Sequence, residues 1–216
     1  MGEASYVIGI EIHRDRTRKI LGLSQKAYIE NVLERFGMKH YSSIAAPIVK
    51  GEKFSLDQCP KNGLKRKEMD RIPYASLVGS HMYVQVCTRP NIAFTVGMLG
   101  RYQNNPGKNH GKATKRVLRY LQGTKDYKLI YKQSDYLEVL GYSNSDFAGC
   151  VDSSKSTSEY IFLLTGEAVS WRSIKQTIVA SSTTEAEFIA CYETTLQGLW
   201  LKNFISGLQV TIENLL

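Results

Sequence analysis

After Lys125 the spacing of apolar residues changes from three-and-four to two, and that switch constrains the fold more than any other feature of the chain. The runs YKLIYKQ, YLEVLGYS, EYIFLLTG, AVSWRS and KQTIVASS alternate apolar with polar. A period of two sends successive side chains to opposite faces of a strand, whereas a period near 3.6 gathers them on one face of a helix. The second half therefore predicts an antiparallel meander. It is followed by a return to helical spacing in TTEAEFIACYETTLQGLWLKNFISGL, where Ala186, Ile189, Ala190, Leu196, Leu199, Trp200, Phe204 and Ile205 define an inward face. Ser182 and Thr183 open that helix, with Glu185 and Glu187 favoured in its first turn.

The first half reads differently. SYVIGIEIHRD and KILGLSQ flank the charged turn RDRTRK, which predicts a β-hairpin over residues 5–23. Ser24 then caps a helix with Ala27, Tyr28, Val32, Leu33 and Phe36 on one face, and Gly37 stops it. Residues 40–72 carry Pro, Gly and charge without periodicity, which predicts a long surface connection. Two helices opened by Pro73 and Pro90 follow, then a third in NPGKNHGKATKRVLRYLQGT. There Val117, Leu118 and Leu121 share one face while Lys108, Lys112, Lys115, Arg116 and Arg119 crowd the other. The expected architecture is α+β or α/β: a hairpin and helices over 1–125, then a short meander and a helix over 126–216.

With 216 residues and 43% apolar content, the chain can bury a core. Its formal charge is +8, and the excess is gathered in the helix face above and in Lys61, Lys65, Arg66, Lys67 and Arg71. Such clusters suit a polyanion. Each phosphate neutralised steepens the salt dependence of binding. A solvated charged face is the plainer alternative. Four cysteines lie far apart without a CxxC pair, which predicts reduced thiols in a cytoplasmic or nuclear chain. No segment reaches the roughly 20 apolar residues of a membrane span.

GYSNSDFAGC, KSTSEYIFLLTGEAVSWRSIKQ and VASSTTEAEFIA resemble the RNase H domain of copia-type retrotransposon polyproteins. PYASLVGS, TRPNIAF and RVLRYLQGT are similar to the connection region before it, and YVIGIEIHRD and LSQKAYIENVLERFGM to the end of the reverse transcriptase thumb region. The resemblance implies an RNase H-like meander and helix, shortened here to three strands, with hydrolysis of the RNA strand of an RNA–DNA hybrid by two Mg²⁺ ions on four carboxylates. Hard dications so close together need anionic oxygens.

Carried over residue by residue, the family's first aspartate falls on Asn144, a neutral amide that also presents an NH₂ donor. Asp146 and Glu187 match a second family aspartate and the catalytic glutamate. The remaining two carboxylates would lie on a later strand and helix that the sequence does not reach, and the polymerase aspartates would precede it. Glu159 stands at a family glycine, and Asn91 at a family aspartate. The resemblance thus implies a catalytically inactive chain without bound metal, and a C-terminal half of marginal stability whose reduced core holds Trp171 and Trp200.

Two functions follow. One is residual binding of nucleic acid, an RNA–DNA hybrid, through Lys108, Lys112, Lys115, Arg116 and Arg119 together with the 61–71 cluster. The other rests on Arg116, Val117, Leu118 and Arg119, the tetrapeptide RVLR, which matches the RxLR motif of oomycete effectors. That alternative implies secretion into a host plant cell and a host plant protein as partner.

Overall fold

The computed structural model describes residues 3–134 and 138–208. Its secondary structure is mixed α and β, with antiparallel sheet and six α-helices among the described residues. The chain divides into two compact units: Leu23–Lys128 with the residues up to Ile12, and His13–Gly22 with the residues from Leu129 on.

The N-terminal apolar run is two strands rather than one. β1 (Tyr6–Val7) pairs antiparallel with β2 (Ile10–Asp15), Val7 facing Ile10, and Ile8 and Gly9 between them both take positive φ, 50° and 71°. Two consecutive left-handed residues make the tight turn whose twist suits a hairpin. Gly9 supplies the second at little steric cost. β3 (Ile20–Ser24) returns beside β2, and β4 (Leu129–Lys132) completes the strand order β1-β2-β3-β4.

In the first unit, α1 (Lys26–Arg35) buries Ile29, Val32 and Leu33. Gly37, at φ 64°, lets Met38 N–H reach the Leu33 carbonyl at 2.7 Å and Gly37 N–H reach Glu34 at 3.0 Å. These two bonds satisfy carbonyls that a helix end leaves open. The segment 40–72 is not wholly irregular, contrary to expectation: it holds a 3₁₀ turn at Leu56–Gln58 and the helix α2 (Gly63–Asp70). Asn62 caps α2 by accepting from Lys65 N–H at 3.0 Å. Only Met69 of α2 is buried, so the helix carries no apolar stripe for periodicity to reveal. α3 (Tyr74–Thr88), α4 (Ala93–Gly100) and α5 (Lys108–Thr124) pack with α1 around Leu33, Val78, Leu99, Val117, Leu118 and Leu121.

In the second unit β5 (Val139–Asp146), β6 (Thr157–Leu164) and β7 (Glu167–Lys175) form the expected three-stranded antiparallel meander. The predicted strand YLEVLGYS begins at 136, and residues 135–137 lie outside the described residues. YKLIYKQ yields β4 of the other sheet instead of a meander strand. KQTIVASS is not a strand: Gln176 turns inward, donating to Ser158 Oγ at 3.0 Å and to the Ala186 carbonyl at 2.9 Å, and the chain leaves the sheet with Ile178 and Val179 exposed.

α6 (Thr183–Gly207) packs on the meander, and its inward face matches the predicted one only in part. Ala186, Ala190, Leu201 and Ile205 are buried, whereas Leu196, Leu199, Trp200 and Phe204 are each half or more exposed. Small residues allow the close approach: a Cβ on Gly198 would sit 3.4 Å from the Phe162 ring. The core of this unit is small, built on Val139, Phe162, Leu201 and Ile205. Trp200 therefore lies outside the core expected to hold it, and Trp171 is only half-buried.

Candidate functional site

Of the three residues matched to the family's catalytic positions, two stand near the end of β5 and the third, Glu187, reaches that strand from α6. Strand alternation puts Asn144 and Asp146 on the same face. Ser143 and Ser145 take the other face, toward α6: Ser143 Oγ lies 3.3 Å from Cys191 Sγ. β5 is an edge strand, and Glu187 on the first turns of α6 reaches it, Oε1 accepting from Ser145 N–H at 3.3 Å. The structure thus brings Glu187 beside the residue that separates Asn144 from Asp146. Glu159 of β6 is the cross-strand partner of Asn144.

Asp146 is tied to the turn that follows. An added Cβ at Gly149 would fall 1.8 Å from its Oδ2, so the carboxylate lies directly over the Gly149 backbone. The fully buried Ser156 holds the same turn, its hydroxyl accepting from Ala148 N–H at 3.1 Å. Glu185 is a cap: Ser182 Oγ accepts from Glu185 N–H at 3.1 Å, while the Glu185 carboxylate accepts from Ser181 N–H and Oγ at 2.7 and 2.6 Å. Those bonds to Ser181 hold its pKa below the ordinary glutamate value. Among the described residues, no three His, Cys, Asp or Glu side chains gather as a metal-holding group.

The basic residues form a second site, within the first unit. Sequence reasoning gave two separate clusters; folding joins them. Met69 and Ile72, at and just past the end of α2, lie against Gly111 of α5, within reach of an added Cβ at 3.5 and 3.4 Å. Lys108 at the start of α5 pairs with Glu68 of α2 at 2.6 Å. Glu68 has its pKa lowered first by that bond, then by the charges of Lys108, Lys65 and Arg71. A cleft of about 260 Å³ between the two helices is lined by Lys65, Glu68, Lys108 and Asn109. Lys65, Arg66, Lys67 and Arg71, on α2 and just past its end, and Lys112 and Lys115 on α5 are exposed.

Two further cations of α5 are engaged internally. Arg116 pairs with Glu52, and Arg119 donates to the Ser42 carbonyl at 2.7 Å and to Ser42 Oγ at 2.8 Å. Val117 and Leu118 are fully buried. The tetrapeptide RVLR is thus part of a packed helix, with its apolar pair in the core. Asn91 donates to the Tyr120 hydroxyl, a structural contact.

An edge strand met by a helical glutamate, in a chain with a joined basic surface, accompanies clear sequence relationships. The chain belongs to the copia-type retrotransposon Pol polyprotein family. It is 45% identical over 208 residues, 96% of its length, to the retrovirus-related Pol polyprotein from transposon TNT 1-94 of Nicotiana tabacum. It is 34% identical over 97% of its length to that from transposon RE2 of Arabidopsis thaliana. It spans only 16% and 14% of those two polyproteins. The secreted RxLR effector protein 161 of Plasmopara viticola is 47% identical over 133 residues, 62% of this chain and 94% of that protein. No family model and no solved structure matches the chain. Among the described residues, no helix is long and apolar enough to cross a membrane.

Proposed function

We propose that this retroelement-derived chain is a non-catalytic protein that binds nucleic acid, an RNA–DNA hybrid, through the α2–α5 surface. The observation that carries the reading is the convergence of two clusters, distant in sequence, around the Lys108–Glu68 pair. Exposed lysines at 65, 67, 112 and 115 suit phosphates spaced along a backbone. They read charge and shape, not sequence.

The residues at the end of β5 do not fit a pair of Mg²⁺ ions. Asn144 offers a neutral oxygen beside a donor, Asp146 lies over Gly149, and Glu187 shares its carboxylate with Ser145 N–H. Too few anionic oxygens remain to hold two dications about 4 Å apart. The expected result with a labelled hybrid is no cleavage in Mg²⁺ or Mn²⁺, and no rescue by Asn144→Asp. Cleavage abolished by Glu187→Gln would overturn the inactive reading.

Binding is tested by titrating the hybrid at several salt concentrations. Four phosphate contacts give a log–log slope of about −3 to −4. Changing Lys65, Lys67, Lys112 and Lys115 to Gln should flatten that slope and weaken binding at low salt. Unchanged retention by the variant would refute the assignment.

A second reading is favoured by the Plasmopara viticola relative, whose name describes a secreted effector. In this reading the chain acts inside a host plant cell on a host protein and suppresses cell death. With Val117 and Leu118 in the core, recognition of RVLR would require α5 to open. Expression in leaf tissue challenged with a death elicitor tests it: suppression lost in Arg116→Ala/Arg119→Ala supports it, and undiminished cell death counts against it.

A further inference from the structure

Building on the binding surface described above, we propose that a second cavity of the first unit receives one unpaired nucleobase of a nucleic acid whose duplex part lies on the basic residues. The cavity holds about 570 Å³ and lies between α2, the start of α3 and the turn that joins α4 to α5. Sites for small molecules fall in this range of size.

Its walls are of two kinds. Pro60, Met69, Ile72, Pro73 and Pro106 give it apolar surface, while Arg66 and Asp70 of α2 and three consecutive amides, Gln103, Asn104 and Asn105, give it polar groups. A nucleobase carries the same two kinds of surface, apolar ring faces and an edge of donors and acceptors. Proteins recognise unpaired bases in this way, stacking them on flat groups such as a guanidinium and bonding the edge that pairing would otherwise occupy. Each side-chain amide offers a donor and an acceptor side by side. Asp70 adds an acceptor for an exocyclic amino group. The same carboxylate sets the cavity apart from the cationic surface, because a phosphate placed here would meet it.

The frame of the cavity is fixed by the fold. Tyr74, only 3% exposed, donates from its hydroxyl to the Leu99 carbonyl at 2.8 Å and ties the start of α3 to the end of α4. The buried Tyr102 anchors the turn, its N–H reaching the Leu99 carbonyl at 3.2 Å and its carbonyl accepting from Asn105 N–H at 3.3 Å. Amides on a held backbone lose less freedom when they bind.

Position selects the occupant. Pro60 and Met69 line both this cavity and the cleft that holds Lys65 and Lys108, so the two hollows are neighbours. A strand with a phosphate at the first can turn its next base into the second. A fully paired duplex cannot, since its bases stay stacked and paired inside.

The test compares three probes on the full chain at equal salt: a blunt RNA–DNA hybrid, the same hybrid with a short single-stranded DNA extension whose first unpaired base is 2-aminopurine, and that extension with an abasic site instead. Extensions at the 3′ and 5′ ends are both tried. One base-bearing extension should bind about tenfold more tightly than its abasic twin. Its 2-aminopurine emission, quenched while the base is stacked, should rise on binding. Gln103→Ala with Asn104→Ala, and separately Ala75→Phe, which fills the cavity from α3, should remove that gain and leave affinity for the blunt hybrid unchanged. Equal affinity for base-bearing and abasic extensions overturns the proposal, and so does a gain that survives both substitutions; retained binding of the blunt hybrid then leaves the duplex reading standing. Binding of the base-bearing extension without the blunt hybrid sinks the duplex reading and keeps the pocket, whereas binding of no probe overturns both.

Discussion

His81 in α3 is fully buried with neither ring nitrogen hydrogen-bonded, and burial pushes its pKa down to about 3 from an ordinary 6.5. In the unfolded chain it would take a proton near pH 6.5, so below that pH the unfolded state binds more protons and stability falls. Between pH 6.5 and about 3 the loss from this residue is roughly 1.4 kcal/mol per pH unit. Urea midpoints at pH 7 and pH 5 should differ in the native sequence, and His81→Leu should remove most of that difference. The same attention to single residues explains the family-like motifs. Gln176 and Ser156 are buried and bond to β6, to α6 and to the turn after β5. Their part is structural. The family resemblance pointed to Asn144, Asp146 and Glu187, and strand alternation adds that the first two share a face. Neither reveals that Asp146 lies over Gly149, a contact made by a turn whose path no periodicity records.

Elements end where side chains can satisfy their open backbone groups. α5 ends at Thr124, where the buried Arg89 donates to the Thr124 carbonyl at 2.7 Å and to the Tyr127 carbonyl just past the helix at 2.9 Å. Its guanidinium also lies over the Tyr127 ring, 5.7 Å from the centroid. Burial lowers its pKa, yet an arginine stays charged at neutral pH. Arg89→Met should cost about 1.5–3 kcal/mol, the range for hydrogen bonds to charged groups, read as a drop in urea midpoint. Helices with an apolar stripe, such as α1 and α5, were legible in the sequence. α2 was not, since a helix that buries one methionine leaves only its Asn62 cap as a signal. For α6 the period was right and the face right in part: Ala186, Ala190 and Ile205 turn inward, while Leu196, Leu199, Trp200 and Phe204 do not. The helix is apolar on two sides, and the choice fell to the side whose Ala186, Ala190 and Gly198 approach the sheet closely.

At the scale of the whole chain the two units differ in how much they bury. The first has a broad core across four helices, while the second has a small cluster around Val139, Phe162, Leu201 and Ile205. Both tryptophans, Trp171 and Trp200, belong to the second unit. Tryptophan emission should therefore change at lower urea than the far-ultraviolet signal, which follows the helices of both units, and coincident curves would contradict this. The sequence by itself determined most of the alternation of strand and helix, the Ser182 cap of α6, the family and an amide rather than a carboxylate at position 144, because these depend on local spacing and residue chemistry. Only the tertiary structure decided that two basic clusters form one surface, that RVLR is packed into a core and that the bulky side of α6 faces water. Those outcomes depend on which surfaces approach most closely, a property of three-dimensional packing that linear order does not carry.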